Sequence, residues 1–127
     1  MRLFKNKWFT RYARHTGIDD AALCQATREV SQGAVDADLG GGVIKQRIAR
    51  PGSGKSGGFR SIILFKVDAL AFFVYGFAKS ERSNTEADEL KAFRKLASVM
   101  LAYDEEALVV AIDEGALTEV ICDEETI

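Results

Sequence analysis

Hydrophobic and polar positions repeat along this chain with two different periods, and the period changes near residue 35. Trp8, Phe9, Tyr12 and Ala13 recur at helical spacing until Gly17 stops the turn, after a short stretch at 2–5 that suits a strand. Asp19 is a good N-cap for a second helix, with Leu23, Ala26 and Val30 on one face and Gly33 as its stop. The stretch VDADLGGGV (35–43) mixes acidic residues with three consecutive glycines and reads as a connection, in which Leu39 to Gly42 have a conformational role.

Beyond it the period is that of strands. Residues 43–49 alternate, with Val43, Lys45 and Arg47 on one face and Ile44, Gln46 and Ile48 on the other, so this strand is half-buried with a cationic outer face. Residues 58–66 and 70–79 are β-branched or aromatic at nearly every position, as in strands covered on both sides, and Val67-Asp68-Ala69 joins them as a hairpin. Ser83, Asn84 or Thr85 can cap the next helix, whose Leu90, Phe93, Ala97, Met100 and Leu101 form a core stripe. A short helix at 104–113, a stop at Gly115 and a last strand near 117–122 complete the order. Helices, then strands, then helix and returning strand define a small α+β domain spanning 1–127, with an acidic C-terminal segment at 104–127.

Composition adds little to the fold and more to the function. With 127 residues and 47% hydrophobic content the chain supports one core. Cys24 and Cys122 lie far apart in sequence without partners at metal-ligand spacing, so neither a zinc site nor a disulfide framework is expected, and a reducing compartment fits. The N-terminus does not resemble a signal peptide and no segment reaches the roughly 20 apolar residues of a membrane span, which gives a cytoplasmic expectation. The net charge of −2 conceals an asymmetry: residues 1–95 carry all 17 Lys and Arg with 10 acids, for +7, and residues 96–127 carry the other 9 acids, for −9. A basic working surface for a polyanion follows.

One segment invites a nucleotide reading. ARPGSGKS (49–56) matches a relaxed phosphate-loop pattern, but a phosphate loop needs a helix after its Lys-Ser, and here Gly57-Gly58 lead into the strand FRSIILF. The loop therefore joins two strands. Residues 40–82 hold eight cations (Lys45, Arg47, Arg50, Lys55, Arg60, Lys66, Lys79, Arg82) against Asp68 and Glu81, interleaved with Phe59, Tyr75 and Phe77. Cations for phosphates and aromatic faces for unstacked bases are what single-stranded RNA requires.

The series DADLGGGVIKQRIARPGSGKSGGFRSIILFK, followed by AFFVYGFAKSERSN, resembles the RelE/HigB-type toxins of bacterial toxin-antitoxin systems, in a branch marked by a Gly-x-Gly-Lys-Ser-Gly-Gly-x-Arg loop. The specific combination is Leu-Gly-Gly, Gly-Lys-Ser-Gly-Gly, Arg60 and Ala-Lys-Ser-Glu-Arg. The resemblance implies a small twisted antiparallel sheet with two N-terminal helices and a C-terminal helix packed against it, and a concave basic active face. It also implies a repressor of translation that cuts mRNA on the ribosome. The implied partners are a cognate antitoxin of helix-turn-helix type, mRNA and the ribosome; no membrane is involved, and a homodimer is compatible with the isolated chain.

RNA cleavage without a metal or other cofactor needs a base for the 2′-OH, cations for the phosphoryl oxygens and an acid for the leaving 5′ oxygen. His15, the only histidine, reads as a partly exposed helical residue. The expected roles are therefore Arg60 as transition-state clamp and Lys79 and Lys55 as proton-transfer or phosphate groups, the lysines tuned by neighbouring cations. Lys45 and Arg47 hold the backbone, with Arg50 and Arg82 as further RNA contacts. Related toxins often carry a tyrosine where this chain has Phe77; Tyr75, two residues earlier on the same side of the strand, is the substitute for stacking or proton donation, and Phe77 is either a base contact or a core aromatic. The competing readings are a non-catalytic RNA- or DNA-binding module and an inactive toxin-like protein that only binds an antitoxin.

Overall fold

A computed structural model describes residues 1–50, 54–79 and 86–122 of the chain. Its elements run β1 (Arg2–Asn6), α1 (Lys7–Thr16), α2 (Asp20–Ser31), β2 (Ala37–Asp38), β3 (Val43–Arg50), β4 (Gly54–Lys66), β5 (Leu70–Ala78), α3 (Ala87–Met100), α4 (Glu105–Asp113) and β6 (Leu117–Val120). The fold is α+β, as expected: a twisted open six-stranded sheet in the order β2-β3-β4-β5-β1-β6, with helices on both faces. All pairings are antiparallel except β1 with β5, which is parallel. The first strand thus inserts between the long hairpin and the last strand, a non-local arrangement that periodicity does not encode.

The helix boundaries follow local chemistry. The Asn6 side chain accepts the Phe9 N–H at the start of α1, and Gly17 closes it in the left-handed conformation (φ +79°) with its N–H on the Ala13 carbonyl. The Asp19 carboxylate accepts from Ala22 N–H at the start of α2, and Asp104 does the same for Ala107 ahead of α4. The cap of α3 differs from expectation. It is Glu86, whose own N–H donates to Glu89 at 3.0 Å, and the expected caps Ser83, Asn84 and Thr85 lie outside the described residues.

Three further differences have identifiable causes. The acidic 35–43 connection contains the two-residue strand β2, because Ala37 and Asp38 find pairing partners in Lys45 and Ile44 of β3. β4 starts at Gly54 instead of 58, where Gly54 pairs with Arg50. Cys24 and Cys122 form a disulfide with Cα atoms 5.9 Å apart, which overturns the expectation of two unconnected thiols and removes the support that expectation gave to a reducing compartment: β6 returns beside α2, and a separation of 98 residues in sequence becomes a contact in space. The turn before β3 does behave as a conformational device. Gly42 has φ +85°, and a Cβ there would stand 2.6 Å from Leu101 Cδ1.

The sheet separates two apolar cores. On one face Ile44, Ile48, Phe59, Ile63, Ala71, Phe73 and Ala78 pack with Phe9 and Ala13 of α1 and Leu23, Ala26 and Val30 of α2. On the other, Val43, Ile62, Leu64, Phe72 and Val74 pack with Ala97 and Met100 of α3 and Leu108 of α4. Arg2 ties the far edge together, reaching Glu119 of β6 at 2.9 Å and Glu105 of α4 at 2.6 Å.

Candidate active site

The candidate site occupies the α3/α4 face, at the end of β3, β4 and β5 where its apolar residues stop. Residues directly opposite on neighbouring strands share a face, so the register defines rows across the sheet. Val43, Leu64 and Phe72 form an apolar row; Lys45, Ile62 and Tyr75 form the next; Arg47, Arg60 and Phe77 follow. Gly58 lies beyond Arg60 on this face, where its carbonyl takes the Lys79 N–H at 3.4 Å. The alternation read from residues 43–49 is the one observed, since Ile44 and Ile48 enter the opposite core.

A bulge sets the β5 part of this surface. Ile62 pairs with Tyr75 but Ile63 pairs with Phe73, leaving Val74 as the extra residue. Without it, strict alternation from Phe73 would send Tyr75 and Phe77 to the α1/α2 side; with it, both lie on the face of Arg60. Gly76 then faces α1, where a Cβ would stand 2.5 Å from the Tyr12 ring. Only glycine lets that ring lie against the strand.

The cations converge on a carboxylate that the sequence reading passed over. Asp36, just before β2, has Oδ1 3.1 Å from Arg47 Nε, and Oδ2 3.5 Å from Arg60 Nε and 3.7 Å from Lys45 Nζ. Oδ2 is at ion-pair range of two cations without a formed hydrogen bond. Lys45, Arg47 and Arg60 thus share one negative charge. Arg60 is only 6% exposed, and its Nη1 is buried with no hydrogen-bond partner. A buried donor in that state carries an unrecovered desolvation cost, which an acceptor oxygen would remove.

A polar device on the opposite face fixes Asp36. Gln46, 3% exposed, accepts the Asp36 N–H through Oε1 at 2.9 Å and donates from Nε2 to the Ala34 carbonyl at 2.9 Å. Ser61 Oγ in turn donates to the Gln46 carbonyl at 3.1 Å. The signal for Asp36 in the sequence was the pair of acids at 36 and 38, but recognising it requires the β2 to β3 pairing.

The other expected residues are distributed around this centre. Tyr75 is half-buried among aromatic rings, with centroids 4.5 Å from Trp8, 5.7 Å from Phe93 and 6.4 Å from Phe77. Trp8 also stacks on Tyr12 at 5.1 Å and so bridges the two sides of β5. Phe77 is 5% exposed and offers no open face to a base in this arrangement. Lys79 is exposed at the end of β5. Arg50 and Lys55 lie on β3 and β4, their side chains outside the described parts of the molecule, and Arg82 lies outside the described residues. His15 is exposed on α1 beside Trp8, Arg11 and Tyr12, away from Arg60. Among the described residues no group of His, Cys, Asp and Glu could hold a metal ion, and no helix is long and apolar enough to cross a membrane.

The arrangement is one of an open α+β sheet presenting a carboxylate-tethered cationic cluster, with an unpartnered guanidinium nitrogen at its centre. The family model for the RelE toxin of the RelE/RelB toxin-antitoxin system matches residues 1–120, and the chain belongs to this family. It is therefore a toxin with an antitoxin as its counterpart. No curated protein sequence matches the chain.

Proposed function

We propose that this toxin inhibits translation by cutting mRNA on the ribosome, as a metal-independent endoribonuclease. The observation that supports this most is Arg60, a buried guanidinium with an unpartnered Nη1, flanked across the sheet by Lys45 and Arg47. In the proposed reaction the 2′-OH attacks the adjacent phosphorus. The 2′-oxygen to phosphorus bond forms, the bond to the 5′ oxygen breaks, one proton leaves the 2′-OH and one is delivered to the departing oxygen. Arg60 stabilises the charge on the phosphoryl oxygens, which is greatest in the transition state. Its Nη1 is closed to solvent, so an oxygen reaches it by displacing what covers it.

Lys45 and Arg47 hold the RNA backbone, and Lys79, exposed one step beyond Arg60 on the same face, serves proton transfer or phosphate binding. Tyr75 serves as proton donor or base contact. Phe77 stands opposite Arg60 on β5 as its cross-strand neighbour; a stacking role for it would require its face to open. Lys55, Arg50 and Arg82 remain assigned to the phosphates by the sequence pattern alone. We further propose a single domain over 1–127, action in the cytoplasm, a helix-turn-helix antitoxin and a homodimer of the isolated toxin.

The test is reconstitution with ribosomes carrying a defined message. Wild-type protein should produce new RNA ends within the ribosome-bound stretch of the message and leave the same message intact without ribosomes. Binding without cleavage would support a non-catalytic module instead.

A further inference from the structure

We infer that Asp36 is a positioning residue for Arg60, holding the guanidinium by its Nε edge so that Nη1 remains directed at the substrate phosphate. An arginine side chain has several rotatable bonds, and a guanidinium placed only by packing would not keep one nitrogen on a reacting oxygen. Here the Nε edge is occupied at 3.5 Å by a carboxylate oxygen, and Nη1 is buried and left without a partner. The carboxylate is itself fixed. Gln46, buried in the sheet, takes the Asp36 N–H and donates to Ala34, so the short segment before β2 is pinned at two points. Asp36 Oδ1 is held by Arg47 at 3.1 Å and Oδ2 also faces Lys45 at 3.7 Å, which fixes the orientation of the carboxyl plane.

The same charge has a second consequence for the cluster. Three cations on adjacent strands would repel one another, and one carboxylate among them lowers that cost while leaving a net positive face for the RNA. Asp36 need not touch the substrate for either effect. Its catalytic consequence rests on the proposed cleavage reaction; its structural consequence does not.

The test uses two variants of the full chain. Asp36→Asn keeps the backbone donor to Gln46 and removes the charge, and Asp36→Ala also removes the acceptor. In 15N-edited NMR, the wild-type Arg60 Nε–H should give a resolved signal whose chemical shift reports the carboxylate 3.5 Å away; it should shift in Asp36→Asn, and shift and broaden in Asp36→Ala, while the backbone spectrum stays folded. An Arg60 signal unchanged in both variants would overturn the inference, whether or not the protein cleaves RNA. On programmed ribosomes, Asp36→Asn should lower kcat by about 100-fold, the scale of a small misplacement of a reacting group, with KM unchanged or lower. The exposed Asp38→Asn, an equal change in charge away from Arg60, should leave kcat unaltered. Faster cleavage by Asp36→Asn would instead make Asp36 a competitor of the phosphate and contradict the positioning role. Absence of cleavage by wild type, with the NMR response intact, would sink the proposed reaction and leave the Arg60 tether standing.

Discussion

The two faces of the sheet are built from alternate residues of the same strands, yet they end differently. On the α1/α2 side a buried polar row, Gln46 opposite Ser61, interrupts the apolar side chains, which resume beyond it through Ile48, Phe59 and Ala78 to the end of the hairpin. On the α3/α4 side they thin out after the row of Ile62, and the next row, with Phe77 as its apolar member, brings Arg47 and Arg60 to Asp36. One face is apolar at the end of the hairpin and lends Gln46 to the site from within; the other keeps only Phe77 of its apolar burial there and gains a buried cation with an unfilled donor. The lesson is that the site depends on strand register more than on any loop. A shift of one residue would exchange Arg60 for Phe59 or Ser61 and put a charge into the α1/α2 core.

Substitutions on the two faces should therefore dissociate folding from activity. The largest stability effect is expected from Phe73→Ala, which empties a fully buried position beside Phe9. It should cost about 3–5 kcal/mol in denaturant unfolding, and cleavage by the fraction still folded should be unchanged. Loss of cleavage without loss of stability would erase the division between the faces. Gly76→Ala probes the boundary, because its Cβ would press on the Tyr12 ring at 2.5 Å. About 1–3 kcal/mol of destabilisation is expected, with the melting temperature lowered and no direct change at Arg60; a neutral result would mean that Tyr12 can move aside. The smallest effect on stability belongs to Arg47→Gln, whose side chain is 49% exposed. The variant also loses the 3.1 Å hold on Asp36 Oδ1, so a fall in kcat is expected beside the change in binding. RNA affinity should fall modestly and the slope of log K against log salt should become shallower by about 1, as for one lost phosphate contact. An unchanged slope would remove Arg47 from the RNA surface.

Much of this contrast was legible in the sequence. The alternation of residues 43–49 correctly divides Lys45 and Arg47 from Ile44 and Ile48, because a half-buried strand must carry that period. Gly17, Asp19 and Gly115 mark element ends for reasons local to each turn; the Asn6 cap of α1 emerges only in the structure. The strand-to-strand placement of ARPGSGKS also follows from what flanks it, and β3 does pass into β4 there.

What escaped the sequence depends on long-range pairing. Asp36 is one acid in an apparently irregular connection until Ala37 pairs with Lys45, and only then does its carboxylate meet Arg60. The bulge at Val74 decides the face of Tyr75 and Phe77, but a run of apolar residues has no alternation to reveal it. Cys24 and Cys122 meet because β6 adds to the edge of the sheet beside β1, a closure that spacing alone cannot signal. The family likeness supplied the activity to be expected of the cations. It did not supply the carboxylate that organises them.

Cleavage of mRNA at the polar end of the α3/α4 face is proposed to run through Arg60. Its most direct measurement is the mapping of RNA 5′ ends in growing cells after induction of wild type or Arg60→Ala, each without antitoxin and at matched levels of folded protein. Wild type should arrest growth and create new ends inside translated messages, and Arg60→Ala should reduce those ends by roughly 10²–10³-fold, the scale for removal of one transition-state donor. Identical ends from both proteins, or intact messages with wild type, would contradict the account.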